Sequence, residues 1–442
     1  MKKRIAAVLA ACVLIVGLTA CKRAGGSSDM ASGAVSGAVS STAEKVSISM
    51  LNSKGEIQSQ LEEAARIYQQ ETGVTLDVIA CGTGETPYTK ITSMYNAGTA
   101  PTLAMLDPTD IVALAAEKAV DLSDEKWTAE CAESLLRVDG KVYAMPLCVE
   151  GRGLIYNRAA IEKTLGTEFD PSAIQSYDAL KTLLESLRAH GMEYPVVISK
   201  EDWSVGAHLF GLIYDTYDGT TAGSERLINE LKAGSVRMEN VTRYDEWRQT
   251  FDLLLQYNIN HADPLGALYE QDPIHLADGD AALWFNGNWA WPNLQEADAD
   301  PSDGYGFLPY VMNNDPSDFA NTQIQASPSK CILIDRVQAT DGQIAAAKAF
   351  LNWLVYNETG QRLLVEKCGL IPACTNNPFS ATDPLSADIQ QKIKNGGTFG
   401  SSFIAPGDHW RVVGAQVQKY MAGQQTGAQL AAAVDAYWQG QK

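Results

Sequence analysis

Residues 279–291 (GDAALWFNGNWAW) put three tryptophans into a run with no core periodicity. Small Gly279, Ala281 and Ala282 lead into an apolar patch, Asn286-Gly287 carries a turn signal, and Trp289 follows at once. This places Trp289 at a loop or helix mouth. A rigid ring held there can stack on the apolar face of a pyranose, a large contact that costs little conformational entropy. Trp284, Trp289 and Trp291 read equally well as core aromatics, because tryptophan is mostly buried in any protein. Two more tryptophans stand beside loops. Trp203 follows Glu201-Asp202 after an apolar strand at 195–199, and Trp410 opens a helix. Rings from three segments, joined by carboxylates for hydroxyl groups, make a carbohydrate cleft, apolar with a few placed polar groups.

Other chemistries lack their residues. The five histidines form no H-E-x-x-H and no i, i+4 pair, and no cysteines stand at C-x2-C spacing, so no metal is expected. There is no G-x-S-x-G elbow, and Cys81-Gly82-Thr83-Gly84 lacks the lysine of a phosphate loop. With 53 Asp and Glu, no glycosidase-type pair of acids can be singled out. No catalytic residue and no cofactor are assigned.

The elements that must position these side chains alternate. A strand at 46–50 precedes a helix at 56–72 that Gly73 stops, then come a strand at 74–80, a short strand at 103–106 and a helix at 111–120. That order implies βαβ units and a mostly parallel sheet. Ligands then bind beyond the carboxyl ends of strands, which puts Asn52, Ser53, Thr83, Glu85 and Asp107 on one rim. The pattern changes at 138–158. Two β-rich runs, 141–145 and 153–157, flank an extended stretch holding the acid Glu150, which suits a crossover between two lobes. Amphipathic helices are expected at 177–190, 246–257 and 345–365, and Asp408 reads as an N-cap.

The N-terminus gives an address. Lys2, Lys3 and Arg4 precede an apolar stretch of 14 residues, 5–18, shorter than a membrane span. It ends in Leu18-Thr19-Ala20-Cys21, a lipobox whose cysteine accepts lipid. Residues 1–20 read as signal peptide and 21–44, rich in Gly, Ser and Ala, as a flexible linker. The expectation is a lipid-anchored protein on the extracytoplasmic face of the cell membrane. Without the leader's three cations, 31 Lys and Arg oppose 53 Asp and Glu, a charge of about −22. Nucleic acid, which needs a basic footprint, is excluded as a partner. Six cysteines remain outside the leader and lipobox, and their pairing is left open.

Several motifs, in order, resemble the extracellular solute-binding proteins of ABC transporters, family 1, the sugar binders that include maltodextrin-binding protein. The run Asp139-Gly140-Lys141 to Pro146 resembles D-G-K-x-Y-x-x-P, and Val149-Glu150 through Arg158 resembles V-E-x-x-x-L-I-Y-N-[KR]. Residues 279–291 are similar to G-x-x-A-M-x-x-N-G-x-W-A-W, and 346–372 to the family's later helix and G-x-[IL]-P. The resemblance implies an α/β, two-lobed periplasmic-binding-protein-like fold of type II, each lobe a mostly parallel sheet flanked by helices. It implies hinge closure around a sugar, an ABC permease as partner, and a monomer without enzyme activity. The lobe assignment that follows is 45–149 and 308–367 for lobe one, 150–307 and 368–442 for lobe two. By the same resemblance Glu150, Glu201, Trp203, Trp289 and Trp410 contact sugar.

The first lobe departs from the maltodextrin pattern. Leu106, Thr109 and Asp110 stand where a tryptophan and an Asp-Arg pair are expected, and the first loop is Ser53-Lys54-Gly55 with one residue inserted. Maltose specificity is therefore not carried over. Arg411 after Trp410, and Arg152 near Glu150, would suit a uronate or sugar phosphate if they faced the cleft, through bidentate contacts. The expected ligand set is Asn52, Glu85, Asp107, Glu150, Glu201, Trp203, Trp289, Trp410 and Arg411. The alternatives are the same fold with a non-sugar or anionic ligand such as a peptide, or a secreted glycoside hydrolase or lyase.

Overall fold

The computed structural model describes residues 46–82, 85–401 and 403–441. The leader, Cys21, the linker and Thr83 lie outside the described residues. A buried strand β1 (Ser47–Asn52) runs through one 3-10 turn into α1 (Gln58–Thr72). Gly73, at φ 77°, ends that helix in the left-handed conformation that glycine adopts without strain. β2 (Thr75–Ala80), α2 (Pro87–Ala97), β3 (Leu103–Leu106) and α3 (Pro108–Lys118) follow. β1 pairs in parallel with both β2 and β3, as the alternation requires.

Lys141–Val142 pairs with Arg137–Val138 in a small separate hairpin, and from Ala144 the rest of the first run, the stretch around Glu150 and the second run are one continuous strand, β4 (Ala144–Asn157). Beyond it come α4 (Arg158–Leu165), α5 (Tyr177–Ala189), β5 (Val196–Val197) and a π-helical segment, Trp203–Leu209. Then follow α6 (Thr221–Ala233), α7 (Thr242–Gln256), α8 (Asp272–Ala277), β6 (Leu283–Gly287), α9 (Trp291–Glu296) and β7 (Tyr305–Leu308). The chain crosses again in β8 (Ile324–Ile334) and enters α10 (Asp341–Tyr356). Last are β9 (Ile371–Pro372), α11 (Pro384–Lys394), β10 (Thr398–Phe399), α12 (His409–Met421) and α13 (Gly427–Gln439).

The ten strands form one mixed sheet with main order β2-β1-β3-β8-β4-β6-β5. β8 is antiparallel to β3 and to β4, while β6 and β7 are antiparallel to the far half of β4. Two long strands therefore carry the sheet from one lobe into the other, with helices on its faces. The two largest apolar cores gather Tyr68, Trp127, Met145 and Phe350 in the first, and Phe210, Trp247, Phe251 and Trp438 in the second, with smaller clusters around Trp284 and around Leu106.

Three local expectations change. The return to lobe one was expected at 308, yet Leu308, Tyr310, Val311 and Ala320 pack in the second core. Cys368 and Leu370, expected in lobe two, pack in the first. The changes of lobe fall within or beside long paired strands, which carry no composition break. The single helix expected at 345–365 stops at Asn357, whose extended backbone breaks it and whose Oδ1 accepts from Thr359 N–H and Gly360 N–H to start a new turn. Asp408 stands at the N-cap position of α12, but its carboxylate accepts from the Tyr437 hydroxyl at 2.9 Å rather than capping the helix. A disulfide joins Cys131 to Cys374, a pair 243 residues apart that sequence spacing gave no reason to choose.

Candidate functional site

The loop after β1 supplies the first wall. Asn52 is fully buried: its Oδ1 accepts from Lys54 N–H, and its Nδ2 donates to the Lys54 carbonyl and to Gln58. Asn52 therefore shapes the loop, and its side chain, closed off from the surface, supports the site rather than reaching into the cleft. The turn it fixes sends Lys54 inward, where the ammonium pairs with Glu150 on β4 and, at 2.6 Å, with Glu56. Burial opposes Lys54's charge, but Glu150 and Glu56 outweigh it and hold its pKa well above the usual value. Burial likewise opposes the charge of Glu150, and Lys54 outweighs it, so that carboxyl sits below its usual range. Both partners are ionised.

The second lobe supplies aromatic rings. Asn286 and Gly287 continue β6 rather than forming a turn, and Trp289 sits in the following 3-10 turn, at the mouth of α9. Its ring folds back over Gly287, where a Cβ would lie 2.0 Å from the indole. Glycine is thus required there by close approach. Trp284 and Trp291 are core residues, whereas Trp289 keeps part of its surface exposed. Trp289 packs on His208 (4.7 Å between centroids), His208 on Trp203 (5.5 Å), and Trp203 on Tyr269 (5.3 Å), giving a continuous aromatic row. Burial, followed by Arg152, Lys330 and Lys54, drives the His208 imidazole well below its ordinary pKa, so it is neutral.

The backbone of Trp410 lies against the segment that carries this row. A Cβ on Gly206 would meet the Trp410 carbonyl at 2.3 Å, and one on Gly414 would meet the Asp202 carbonyl at 2.6 Å. Only two glycines let α12 lie this close to the π-helical segment. Trp203 and the half-exposed Trp410 are thereby held on adjacent elements. One residue before that segment begins to turn, Glu201 has a buried Oε2 with no partner, and burial pushes its pKa upward.

The remaining expected residues lie elsewhere or are engaged. Asp107 pairs with Lys330 of β8 at 2.5 Å, and Glu85 with Lys90 at 3.2 Å. Arg411 is exposed and acts on Asp202 only through its charge. Arg152 pairs with Asp215, a fully buried carboxylate that also accepts from Phe403 N–H at 2.9 Å. No cation of the cleft among Lys54, Lys330 and Arg152 is without a carboxylate.

The lobes meet on two sides. Across one, a Cβ on Gly407 would touch Tyr88 and Asp110 of the first lobe. Burial and then Asp107 push the Asp110 carboxyl up to about 8. On the other, a cavity of about 180 Å3 lies between Lys54 and Ile57 on one wall and Trp289 and Trp291 on the other, with Glu150 at its side. His208, Tyr269 and Lys330 carry no local mark in the sequence, and Lys54 stood out only as part of the altered first loop; the fold brings them beside Glu150 and Trp203. Among the described residues no three or more His, Cys, Asp or Glu side chains converge as a metal site would require. No described helix is long and apolar enough to cross a membrane.

The family described as "Bacterial extracellular solute-binding protein" matches residues 63–396. No curated protein matches the sequence. Among solved structures, "SBP RafE in complex with raffinose" superposes with a TM-score of 0.70 at 18% identity, over 89% of this chain and 99% of that one. "Chitin oligosaccharide binding protein" gives 0.68 at 19% identity, over 89% and 98%. "Maltose/maltodextrin-binding domain MalE from Bdellovibrio bacteriovorus bound to maltotriose" gives 0.64 at 18%, over 90% and 99%. Identities this low speak for the fold alone, and the same two-lobed architecture recurs over nearly the whole length of each. Three quarters of the sequence meeting the family's pattern, on an α/β fold whose lobes enclose a cleft, makes this chain a bacterial extracellular solute-binding protein.

Proposed function

We propose that the protein captures a neutral sugar or oligosaccharide between its lobes and delivers it to an ABC permease by hinge closure, without chemical turnover. The observation that carries this reading is the aromatic row ending in Trp289, set beside acids and cations already matched to one another. Rings offer stacking faces, and Glu150, Glu201 and Asp107 offer acceptors for hydroxyl groups. A uronate or phosphate would need a free cation, and Lys54, Lys330 and Arg152 each hold a carboxylate already. Replacing those partners would leave buried acids uncompensated. Glu85 and Arg411 belong to the margin of this site and Asn52 to its support. Tethering through a lipid on Cys21, with a monomeric body beyond the linker, completes the reading and agrees with the family's extracellular character.

The test is thermal shift across neutral and acidic mono- and oligosaccharides. A ligand at 100 times its Kd adds about 2.7 kcal/mol, a shift of several degrees. Hits among neutral oligosaccharides support the reading. Hits confined to uronates or sugar phosphates overturn the neutral assignment, and silence across the panel overturns the saccharide itself.

A further inference from the structure

The second lobe carries a rigid tip that covers a carboxylate of the first. Phe403 N–H donates to Asp215 Oδ1 at 2.9 Å, and the Phe403 ring packs on Tyr214 (4.9 Å between centroids) and His409 (5.3 Å). Ala405 is buried in the second core, and His409 N–H donates to the Pro406 carbonyl at 2.9 Å. Pro406 and Gly407 are therefore fixed to the second lobe from both directions along the chain. Opposite them, a Cβ on Gly407 would lie 3.4 Å from the Tyr88 ring and 3.8 Å from Asp110 Oδ1. The bare backbone of the tip thus lies against α2 and α3, with room for little more than a methyl group.

Asp110 is 5% exposed, in the first turn of α3. Its neighbouring ammonium, Lys330 of β8, is already held by Asp107 at 2.5 Å. Burial, then the Asp107 carboxylate, oppose the charge of Asp110 and outweigh Lys330 and the Asp107 N–H. After β2 stands the Cys81 thiol, kept neutral by burial and then by Glu85, with Lys90 acting the other way. From α2 the facing group is the Tyr88 ring, and from the second lobe it is uncharged Gly407. The charges beside Gly407 are turned elsewhere. Asp408 accepts from the Tyr437 hydroxyl at 2.9 Å, Arg411 acts on Asp202, and burial keeps His409 neutral.

Resting on the reading of saccharide capture by hinge closure, we propose that the Gly407 tip and Asp110 form a proton-dependent latch, which shuts with Asp110 protonated and loosens when it ionises. Opening withdraws the tip, so water reaches the carboxylate and stabilises its charge; closure seals it and favours the proton. Binding therefore takes up a proton between the open value, about 3.9 for an ordinary Asp, and the closed value of about 8. Affinity is highest at the acid side of this window and falls as pH rises through it, by at most about tenfold per pH unit.

The experiment is calorimetric titration of wild type, D110N and Gly407→Leu with maltotriose, raffinose and triacetylchitotriose, from about pH 5.5 to about pH 8. Buffers of different ionisation enthalpy report the protons taken up. None of these sugars titrates in that range, so a pH dependence belongs to the protein. For the sugar that binds, the wild-type Kd is expected to rise roughly tenfold or more across the range, with proton uptake on binding. D110N, which mimics the protonated acid, should show a flat Kd and no uptake through this group. Gly407→Leu, too bulky for the space against Tyr88, should bind more weakly at the acid end. Uptake is read on the wild type alone, so the test stands even if a variant fails to fold. A wild-type Kd independent of pH, a slope that D110N retains, or wild-type affinity in Gly407→Leu overturns the latch and leaves the saccharide reading intact. A wild type that binds none of the three sugars at any pH overturns both.

Discussion

Deleting the ammonium of Lys54 tests the electrostatics at the hinge. Lys54 and Glu150 are 3% and 8% exposed, and they join the first loop of one lobe to the strand that crosses into the other. Lys54→Met leaves a buried carboxylate beside the unpaired Glu56. Breaking a buried pair from one side costs about 3–5 kcal/mol, because the remaining charge has no compensation. The double variant K54M/E150Q carries neither charge and should recover most of that loss. Urea unfolding of the wild type, both single variants and the double at pH 7 gives the coupling energy. We expect at least about 2 kcal/mol, well above the ~0–1 kcal/mol of exposed pairs. Acid titration supplies a second arm. Glu150's folded pKa is depressed, so its contribution is present above its unfolded value near 4.3 and is lost as pH falls through the folded one. K54M should lack that acid-side loss. A single-variant cost below about 1 kcal/mol, or strictly additive variants, would mean that Lys54 and Glu150 do not compensate one another in the buried hinge.

Three further outcomes follow from other contacts. Asp110's carboxyl is raised to about 8 in the fold, so the folded state holds the proton more tightly and stability should fall as pH rises from about 4 to about 8 and level off above that, by roughly 1–3 kcal/mol; D110N should flatten that slope in urea melts. Gly414→Ala forces a Cβ to within 2.6 Å of the Asp202 carbonyl; separating α12 from the Trp203 segment should cost about 1–3 kcal/mol in unfolding free energy and weaken ligand binding more than a remote variant of equal stability. Reducing Cys131–Cys374, which closes a loop of 243 residues, or replacing both cysteines by serine, should lower stability by about 2–4 kcal/mol with the ligand's Kd unchanged.

The alternating order of strands and helices from β1 to α3 was legible because apolar periodicity is a local property. Glu150 as a buried acid on a crossover, and Trp289 at a helix mouth, were legible for the same reason. Trp203 stood out through its neighbours Glu201 and Asp202. The failures share a cause. Asn52 has the polarity of a ligand residue, yet its amide is consumed by Lys54 and Gln58. Asn286-Gly287 has turn chemistry, but pairing with Arg152 and Gly153 holds it in a strand. Lys54 and Lys330 find their carboxylates 96 and 223 positions away, and His208 is neutralised by burial, none of which a local pattern encodes.

In the proposed function, rings in this cleft bind sugar. The most direct test is calorimetric titration of Trp289→Ala and Trp410→Ala with the neutral oligosaccharide that gives the largest thermal shift on the wild type. Each variant should lose about 1–3 kcal/mol of binding free energy, the scale of a buried aromatic, while keeping the wild-type circular dichroism spectrum. Wild-type affinity in both would contradict the account.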